Sequence, residues 1–166
     1  MGVLSDKTSS RAAVIVVSDR ICAGDRQDKA SPVAVELLER AGFQVAPVAV
    51  INEGFDDVSR ALAAAVSEGS NLVVTCGGTG VGARNLTPEA TLGVITTRLE
   101  GLENQILFEG LKSSQQAGLS RGVVGLTSRE SNGVLIVNAP SSPGGVRDAL
   151  TVIASVWPNI QERLGQ

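Results

Sequence analysis

The sequence predicts a three-layer α/β/α sandwich with a mainly parallel sheet, and two observations lead to this fold class. Short, continuous apolar runs alternate along the chain with longer segments that carry helix-capping residues. The chain is 43% hydrophobic but has only three Phe, one Trp and no Tyr. Its core must therefore be aliphatic, as in buried parallel strands covered by alanine-rich helices. A length of 166 residues suits one domain, expected at 12–166 after a flexible tail at 1–11.

Four apolar runs are predicted to be buried strands. Each is rich in Val, Ile or Leu and is too short to form a helix of ordinary length. They lie at residues 12–18, 43–51, 71–77 and 133–140.

Five further segments are predicted to be helices, at residues 31–42, 55–67, 87–99, 103–113 and 144–164. Ser31 and Thr87 are the expected N-caps of two of them, because each precedes a proline, which suits the first helical turn. Pro158 predicts a kink or a restart in the last helix. The order β-α-β-α-β-α-α-β-α places helices on both faces of the sheet and leaves room for one antiparallel edge strand.

Composition limits the function classes. A net charge of −3 argues against nucleic-acid binding, which usually needs a basic face. The chain has no histidine, so acid–base or metal chemistry would fall to carboxylates, lysine or water, and Mg²⁺ remains open as a metal. Cys22 and Cys76 lie too far apart in sequence to predict a metal cluster or a disulfide framework. No segment resembles a secretory signal or a membrane span, so we expect a cytoplasmic protein without membrane contact.

Three polar loops should meet at one edge of the predicted sheet. They are 18–31, 75–88 and 138–146, and each follows the carboxyl end of a predicted strand, where α/β sheets bind ligands. The middle loop contains the string GGTG at 77–80, whose glycines let the backbone approach an anion closely. The spacing matches neither a Walker loop nor a dinucleotide fingerprint. On this string alone, a ligand-free strand-to-helix turn is also open.

The longer motif around this turn is more specific. GGTG followed by TPEAT at 87–91 resembles the signature of the molybdenum-cofactor biosynthesis family typified by MogA and MoaB, to which the G domain of gephyrin is related. Four other segments are similar to motifs of that family, in the same order: VVSDR at 16–20, RQDKASP at 26–32, LSRGVVG at 119–125 and LIVNAPSSPGGVRD at 135–148. The resemblance covers about residues 12 to 150.

This resemblance implies a molybdopterin site and transfer of AMP from Mg-ATP to the terminal phosphate of the pterin. It also implies a homotrimer that works with other proteins of the same biosynthesis. By the same resemblance, Asn85, Asp28 and Glu53 are the candidate catalytic residues, and Asp28 and Glu53 are the candidate Mg²⁺ ligands. The candidate substrate-binding residues are Ser18, Asp19, Arg20, Gly77, Gly78, Thr79, Gly80, Ser120, Arg121, Asn138, Pro140, Ser141 and Ser142.

The chain departs from the family pattern at positions that bear on catalysis. Asn85 stands where adenylylating members usually have Asp, and Asn52 and Glu53 occupy a loop that usually carries another Asp. Asn104, Leu107 and Ser141 replace a Glu, an Arg and a Gly of the family pattern. Asn keeps an acceptor but loses the charge that binds Mg²⁺. A second hypothesis is therefore a module that binds molybdopterin without adenylylating it. A third, more distant one is a nucleotide- or flavin-binding regulator.

Several candidates also have plain structural alternatives. Ser18, Asp19 and Arg20 could begin a solvated loop, and Asp28 could simply stabilise a helix N-terminus. Arg121 could form a surface ion pair instead of gripping an anion.

Overall fold

A single mixed sheet forms the middle layer of the protein. The computed structural model describes residues 9–166. The strands are β1 (Arg11–Val17), β2 (Gln44–Val45), β3 (Ala49–Ile51), β4 (Leu72–Cys76), β5 (Thr97–Arg98), β6 (Val124–Leu126) and β7 (Leu135–Ala139). They follow the order β2-β1-β4-β7-β6-β5, and β3 also pairs with β1. The predicted three-layer α/β class is confirmed.

Helices cover both faces of this sheet. They are α1 (Asp19–Cys22), α2 (Ala30–Arg40), α3 (Phe55–Ser67), α4 (Thr87–Leu92), α5 (Glu100–Leu111) and α6 (Pro143–Arg163). A 3₁₀ helix at Gln115–Leu119 follows α5. The helix predicted at 55–67 is confirmed residue for residue.

The parallel centre of the sheet, β1-β4-β7, is buried on both faces. The register places Val14 beside Val74, and Val74 beside Val137. These three side chains share one apolar core with α2 and α6, whereas Ile15 and Ile136 belong to a second core with α3. Burial of such side chains stabilises the fold by roughly 1.5–3 kcal/mol each. Two helical layers therefore hold the carboxyl ends of β1, β4 and β7 in fixed positions.

The edges of the sheet differ from the predictions. The strand predicted at 43–51 is split into β2 and β3, because Pro47 lies between them and cannot donate a ladder hydrogen bond. The helix predicted at 87–99 ends at Leu92, just before Gly93, and residues 97–98 form β5 instead. β5, β6 and β7 pair antiparallel, so the antiparallel edge is confirmed.

Two predicted N-caps are wrong. The N-cap of α2 is Lys29, and Ser31 lies inside the helix, where its backbone N–H donates to the carboxylate of Asp28 at 3.0 Å. Thr87 is the first residue of α4, not its cap. Pro158 lies within α6, which continues to Arg163.

The predicted tail overlaps the first strand by one residue. β1 begins at Arg11, whose backbone N–H donates to the side chain of Asn71 at 2.8 Å. Residues 1–8 of the predicted tail lie outside the described residues.

Candidate functional site

A cleft of about 910 Å³ opens at the carboxyl ends of β1, β4 and β7. The three loops predicted to converge there do so. Twelve of the candidate residues line the cleft: Ser18, Arg20, Glu53, Gly78, Thr79, Gly80, Asn85, Ser120, Asn138, Pro140, Ser141 and Ser142. Four others, Asp19, Asp28, Gly77 and Arg121, are not part of its lining. Asp19 and Arg121 bond to the loops beside the cleft, whereas Asp28 bonds to the start of α2 and Gly77 begins the glycine turn.

The glycine turn after β4 is tightly packed against its neighbours. Gly77 has φ +109° and Gly78 has φ +69°, a region that side-chain-bearing residues rarely adopt. A Cβ on Gly77 would lie 2.3 Å from the carbonyl oxygen of Val17, and a Cβ on Gly78 would lie 2.2 Å from Oγ1 of Thr87. Glycine is therefore required here by space as well as by backbone conformation, and the turn brings its backbone to the cleft.

Arg121 holds this turn from behind. Its side chain donates to the carbonyl oxygen of Gly80 at 2.8 Å, to that of Asn85 at 2.6 Å and to the Glu89 carboxylate at 2.5 Å. Its backbone N–H also donates to the carbonyl oxygen of Thr79 at 2.8 Å. The guanidinium is thus occupied by the chain between residues 80 and 89, so Arg121 positions the turn.

Asn85 and Glu53 form a polar pair on the cleft wall. Nδ2 of Asn85 donates to Oε1 of Glu53 at 2.5 Å, and Oδ1 of Asn85 accepts from the backbone N–H of Gly82 at 3.0 Å. The amide is therefore fixed at both ends. It orients the Glu53 carboxylate without adding a second negative charge beside it.

Asp19 links two loops next to the cleft. Its carboxylate accepts from Nε of Arg84 at 2.7 Å and from the backbone N–H of Glu53 at 3.1 Å, while Arg84 also donates to the carbonyl oxygen of Glu53 at 2.9 Å. The hydrogen bonds from Arg84 hold the pKa of Asp19 below its usual value of 3.8. This contact ties the ends of β1 and β3 to the glycine-rich loop.

The lowered pKa of Asp19 predicts acid sensitivity. A carboxyl with a lower pKa in the folded state stabilises the protein above its unfolded pKa, and that stability is lost as the pH falls through the folded value. We therefore expect the melting temperature to drop below about pH 4, and to drop less in Arg84→Gln, measured by circular dichroism from pH 7 to pH 3. Arg60→Gln, which breaks an exposed pair with Asp57 on α3, should melt across this pH range as the unmutated protein does. An identical acid drop in Arg84→Gln would contradict the assignment.

Asn138 lies at the base of the cleft but uses its amide internally. Nδ2 donates to Oγ1 of Thr75 at 3.0 Å and to Oγ1 of Thr91 at 2.9 Å, and Oδ1 accepts from the backbone N–H of Val123 at 3.0 Å. The residue is 3% exposed. Both amide hydrogens are taken, so Asn138 ties β4, α4 and β7 together beneath the glycine turn.

Asp28 is engaged at the start of α2. Its carboxylate accepts from the backbone N–H groups of Ala30 and Ser31 at 3.1 and 3.0 Å, and from the Ser31 hydroxyl. Asp28 therefore stabilises the N-terminus of α2, which was the structural alternative that the sequence left open. The structure does not bring Asp28 to the cleft beside Glu53.

Sequence reasoning missed several residues of the cleft. Arg26 and Arg147 add positive charge to the lining, while Ile106 and Leu107 of α5 add apolar surface. Glu103 also lines the cleft, but its carboxylate accepts from Arg98 and from the backbone N–H of Val124. Arg26 belongs to the segment RQDKASP, so that segment was a usable signal. On α5, Leu107 stands out in the sequence only as a departure from the family pattern, and Ile106 has no signal in the local sequence.

Carboxylates do not cluster densely in the part of the chain that the structure describes. Across residues 9–166, no three Asp, Glu, Cys or His side chains come together as a ready metal site. Within the same range, no helix is both long and apolar enough to cross a membrane.

Comparison with known proteins identifies the family. Residues 13–160 match the pattern of the family described as "Probable molybdopterin binding domain". The chain belongs to this family. The molybdopterin-binding family was also the one indicated by the sequence motifs, and that prediction is confirmed.

Relatives and solved structures agree with this membership. The chain is 33% identical to a molybdenum cofactor biosynthesis bifunctional protein of Chlorobaculum tepidum over 86% of its own length, and it spans 45% of that relative. It is 30% identical to a molybdopterin adenylyltransferase of Pyrococcus furiosus, with 93% of the chain and 94% of the relative covered. A molybdopterin biosynthesis protein from Mycobacterium abscessus has the same fold, with a TM-score of 0.85, 38% identity, and 93% and 96% of the two chains covered. Membership of the molybdopterin-binding family therefore extends over nearly the whole chain.

Proposed function

We propose that this protein binds molybdopterin and transfers AMP from Mg-ATP to its terminal phosphate. The observation that carries the proposal is the cleft itself, where a glycine turn with close backbone approach faces serine hydroxyls and the Asn85–Glu53 pair. Nucleotidyl transfer depends mainly on positioning phosphates and balancing their charge. The name molybdopterin adenylyltransferase borne by the Pyrococcus furiosus relative supports the same reaction.

The reaction balances without a redox step or a covalent intermediate with the protein. An oxygen of the pterin phosphate attacks the α-phosphorus of ATP, a new P–O bond forms, and the bond between the α-phosphorus and its bridging oxygen breaks. The electron pair leaves with pyrophosphate. The backbone of Gly78 and Gly80 and the hydroxyls of Ser141 and Ser142 line the cleft where phosphates would be held.

Glu53 is the residue we assign to Mg²⁺. Mg²⁺ in such sites usually takes one or two carboxylates together with substrate phosphates. Glu103, Asp19 and Asp28 are engaged by Arg98, Arg84 and α2, whereas Oε2 of Glu53 has no hydrogen-bond partner within residues 9–166. Asp148 of α6 also lines the cleft, but Glu53 is the carboxylate that the Asn85 amide holds in place. Bound Mg²⁺ would supply positive charge to the ATP phosphates, and Asn85 would keep the Glu53 carboxylate turned toward them.

A second function is favoured by one observation. The residue at position 85 carries no charge and its amide is fixed on both sides. If adenylylation requires a second carboxylate here, the protein binds molybdopterin without turning it over. The two functions share the cleft and differ in the chemistry performed there.

Glu53→Gln tests the assignment. We expect the rate of adenylyl-molybdopterin formation to fall at least about 100-fold, since a metal-bound carboxylate is worth several kcal/mol. ATP should also lose the Mg²⁺ dependence of its binding, measured by calorimetry with and without Mg²⁺. Glu162→Gln, at an exposed position near the end of α6, is the matched control and should keep both properties. Unchanged Mg²⁺ dependence in Glu53→Gln would sink the metal assignment.

The proposal extends to the oligomeric state of the protein and to its place in the cell. We propose a cytoplasmic homotrimer, as the family resemblance implies. Exposed apolar side chains on α5 and the 3₁₀ helix, Phe108 at 63% and Leu119 at 57% exposure, support a subunit contact beside the cleft. Sedimentation equilibrium should give three times the chain mass of 17.0 kDa, and a monomer mass at micromolar concentration would contradict this.

A further inference from the structure

A second pocket of about 270 Å³ lies beside the main cleft. It shares Ser18, Arg26 and Ser141 with the cleft and extends from there between the first residues of α2 and α6. Its volume matches roughly nine water molecules at about 30 Å³ each. The two spaces therefore adjoin each other, with Val17 as a further residue in both linings.

The side pocket carries positive charge alone. Arg26 and Lys29 line it, no Asp or Glu does, and within residues 9–166 neither cation forms an ion pair. The carboxylate between them in sequence, Asp28, is bonded to the start of α2. Two unpaired cations on one small concave surface favour an anion.

The remaining walls add no negative charge. The floor includes Cys76, which is 1% exposed. Burial, and to a lesser degree the negative charge of Asp28, raise the pKa of the Cys76 thiol to about 12, so it stays neutral at pH 7. The N-terminus of α6, a helix of 21 residues, contributes Pro143 to the wall and directs its positive dipole end to this side.

The main cleft has a different charge pattern. Its cations Arg20, Arg26 and Arg147 share the lining with the carboxylates of Glu53, Glu103 and Asp148. An ester phosphate with a metal ion suits this mixture of charges. The side pocket, with two cations and no carboxylate in its lining, better suits an inorganic anion with several negative charges.

We propose that the side pocket receives the two terminal phosphates of the nucleoside triphosphate and, after transfer, the pyrophosphate that they form. This inference rests on the proposed function, in which pyrophosphate is the leaving group. Pyrophosphate has nine non-hydrogen atoms, which fits the volume of the pocket. Arg26 and Lys29 would then stabilise the charge that builds up on the leaving oxygen as the bond to the α-phosphorus breaks.

Binding of inorganic pyrophosphate tests the proposal directly. Calorimetry on the full chain should show saturable binding that weakens about tenfold in Arg26→Gln and in Lys29→Gln, the usual effect of losing one charge-assisted hydrogen bond. Both residues are exposed, so both variants should fold normally. Arg129→Gln removes the same charge from an exposed site outside the pocket and should stay within about twofold of the unmutated protein.

Two outcomes separate this inference from the proposed function. Equal weakening in all three variants, or no pyrophosphate binding to the unmutated protein, would overturn the side pocket even if adenylyl-molybdopterin forms. Selective weakening in Arg26→Gln and Lys29→Gln supports the pocket even in a preparation that shows no transfer of AMP. Molybdopterin affinity should stay unchanged in Lys29→Gln, because Lys29 does not line the main cleft and the pterin phosphate is assigned to the glycine turn.

Discussion

Replacing Gly77 by alanine is expected to lower the free energy of unfolding by about 3–5 kcal/mol and to abolish activity. The new methyl group would lie 2.3 Å from the carbonyl oxygen of Val17, at the end of β1, and the backbone would keep φ at +109° only under strain. Relief requires β1 and β4 to separate where they carry the site. The prediction is checked by urea unfolding and by the transfer assay on the same sample.

The matched control for this change is Gly101→Ala. Gly101 lies in the first turn of α5, where an added Cβ would meet no atom within 4 Å. Alanine there should leave stability equal or raise it by about 0.5–1 kcal/mol. The account of the turn would be wrong if Gly77→Ala were as stable as Gly101→Ala and remained active.

Arg121→Gln is expected to reduce kcat about 100-fold while KM for molybdopterin changes little. The loss of three hydrogen bonds to the chain between residues 80 and 89 should let the glycine turn shift relative to Glu53. Stability should fall by about 1–3 kcal/mol, because Oε1 of Glu89 and the carbonyl oxygens of Gly80 and Asn85 lose their partner. Steady-state kinetics and thermal melts measure the two effects.

Arg121→Lys distinguishes positioning from substrate contact. A lysine ammonium cannot reproduce the planar fork that reaches three acceptors, so it should not restore kcat. If Arg121 instead bound the substrate phosphate, as the sequence suggested, Arg121→Gln would raise KM and Arg121→Lys would recover much of it. Arg40→Gln, which removes an exposed pair with Glu36 on α2, should leave both constants unchanged.

The sequence predicted the elements that are buried on both sides. β1, β4 and β7 consist mostly of consecutive apolar residues, so pattern and structure coincide. The short strands β5 and β6 on the antiparallel side of the sheet have two and three residues and depend on their neighbours. At Gly125 in β6, for example, a Cβ would lie 2.8 Å from the carbonyl oxygen of Thr97. Such strands are specified by tertiary contacts that a local pattern does not contain.

The sequence predicted where the candidate site lies better than it predicted what each side chain does there. The glycine turn and the serines line the cleft because they directly follow strands, a relation that sequence order carries. Arg121 and Asp19 were expected at the ligand, yet their side chains are engaged by acceptors and donors more than 30 residues away in the chain. The Asn85–Glu53 pair is of the same kind. Long-range partners of polar side chains decide their roles, and sequence spacing does not reveal these partners.

The most direct measurement is a single-turnover reaction of the purified protein with molybdopterin and Mg-ATP, followed by mass spectrometry. The account predicts adenylyl-molybdopterin and pyrophosphate in equal amounts, formed well above a protein-free control and not formed by Gly77→Ala. Saturable molybdopterin binding with no adenylylated product would contradict it, and would show that a cleft with asparagine at position 85 binds the pterin without activating it.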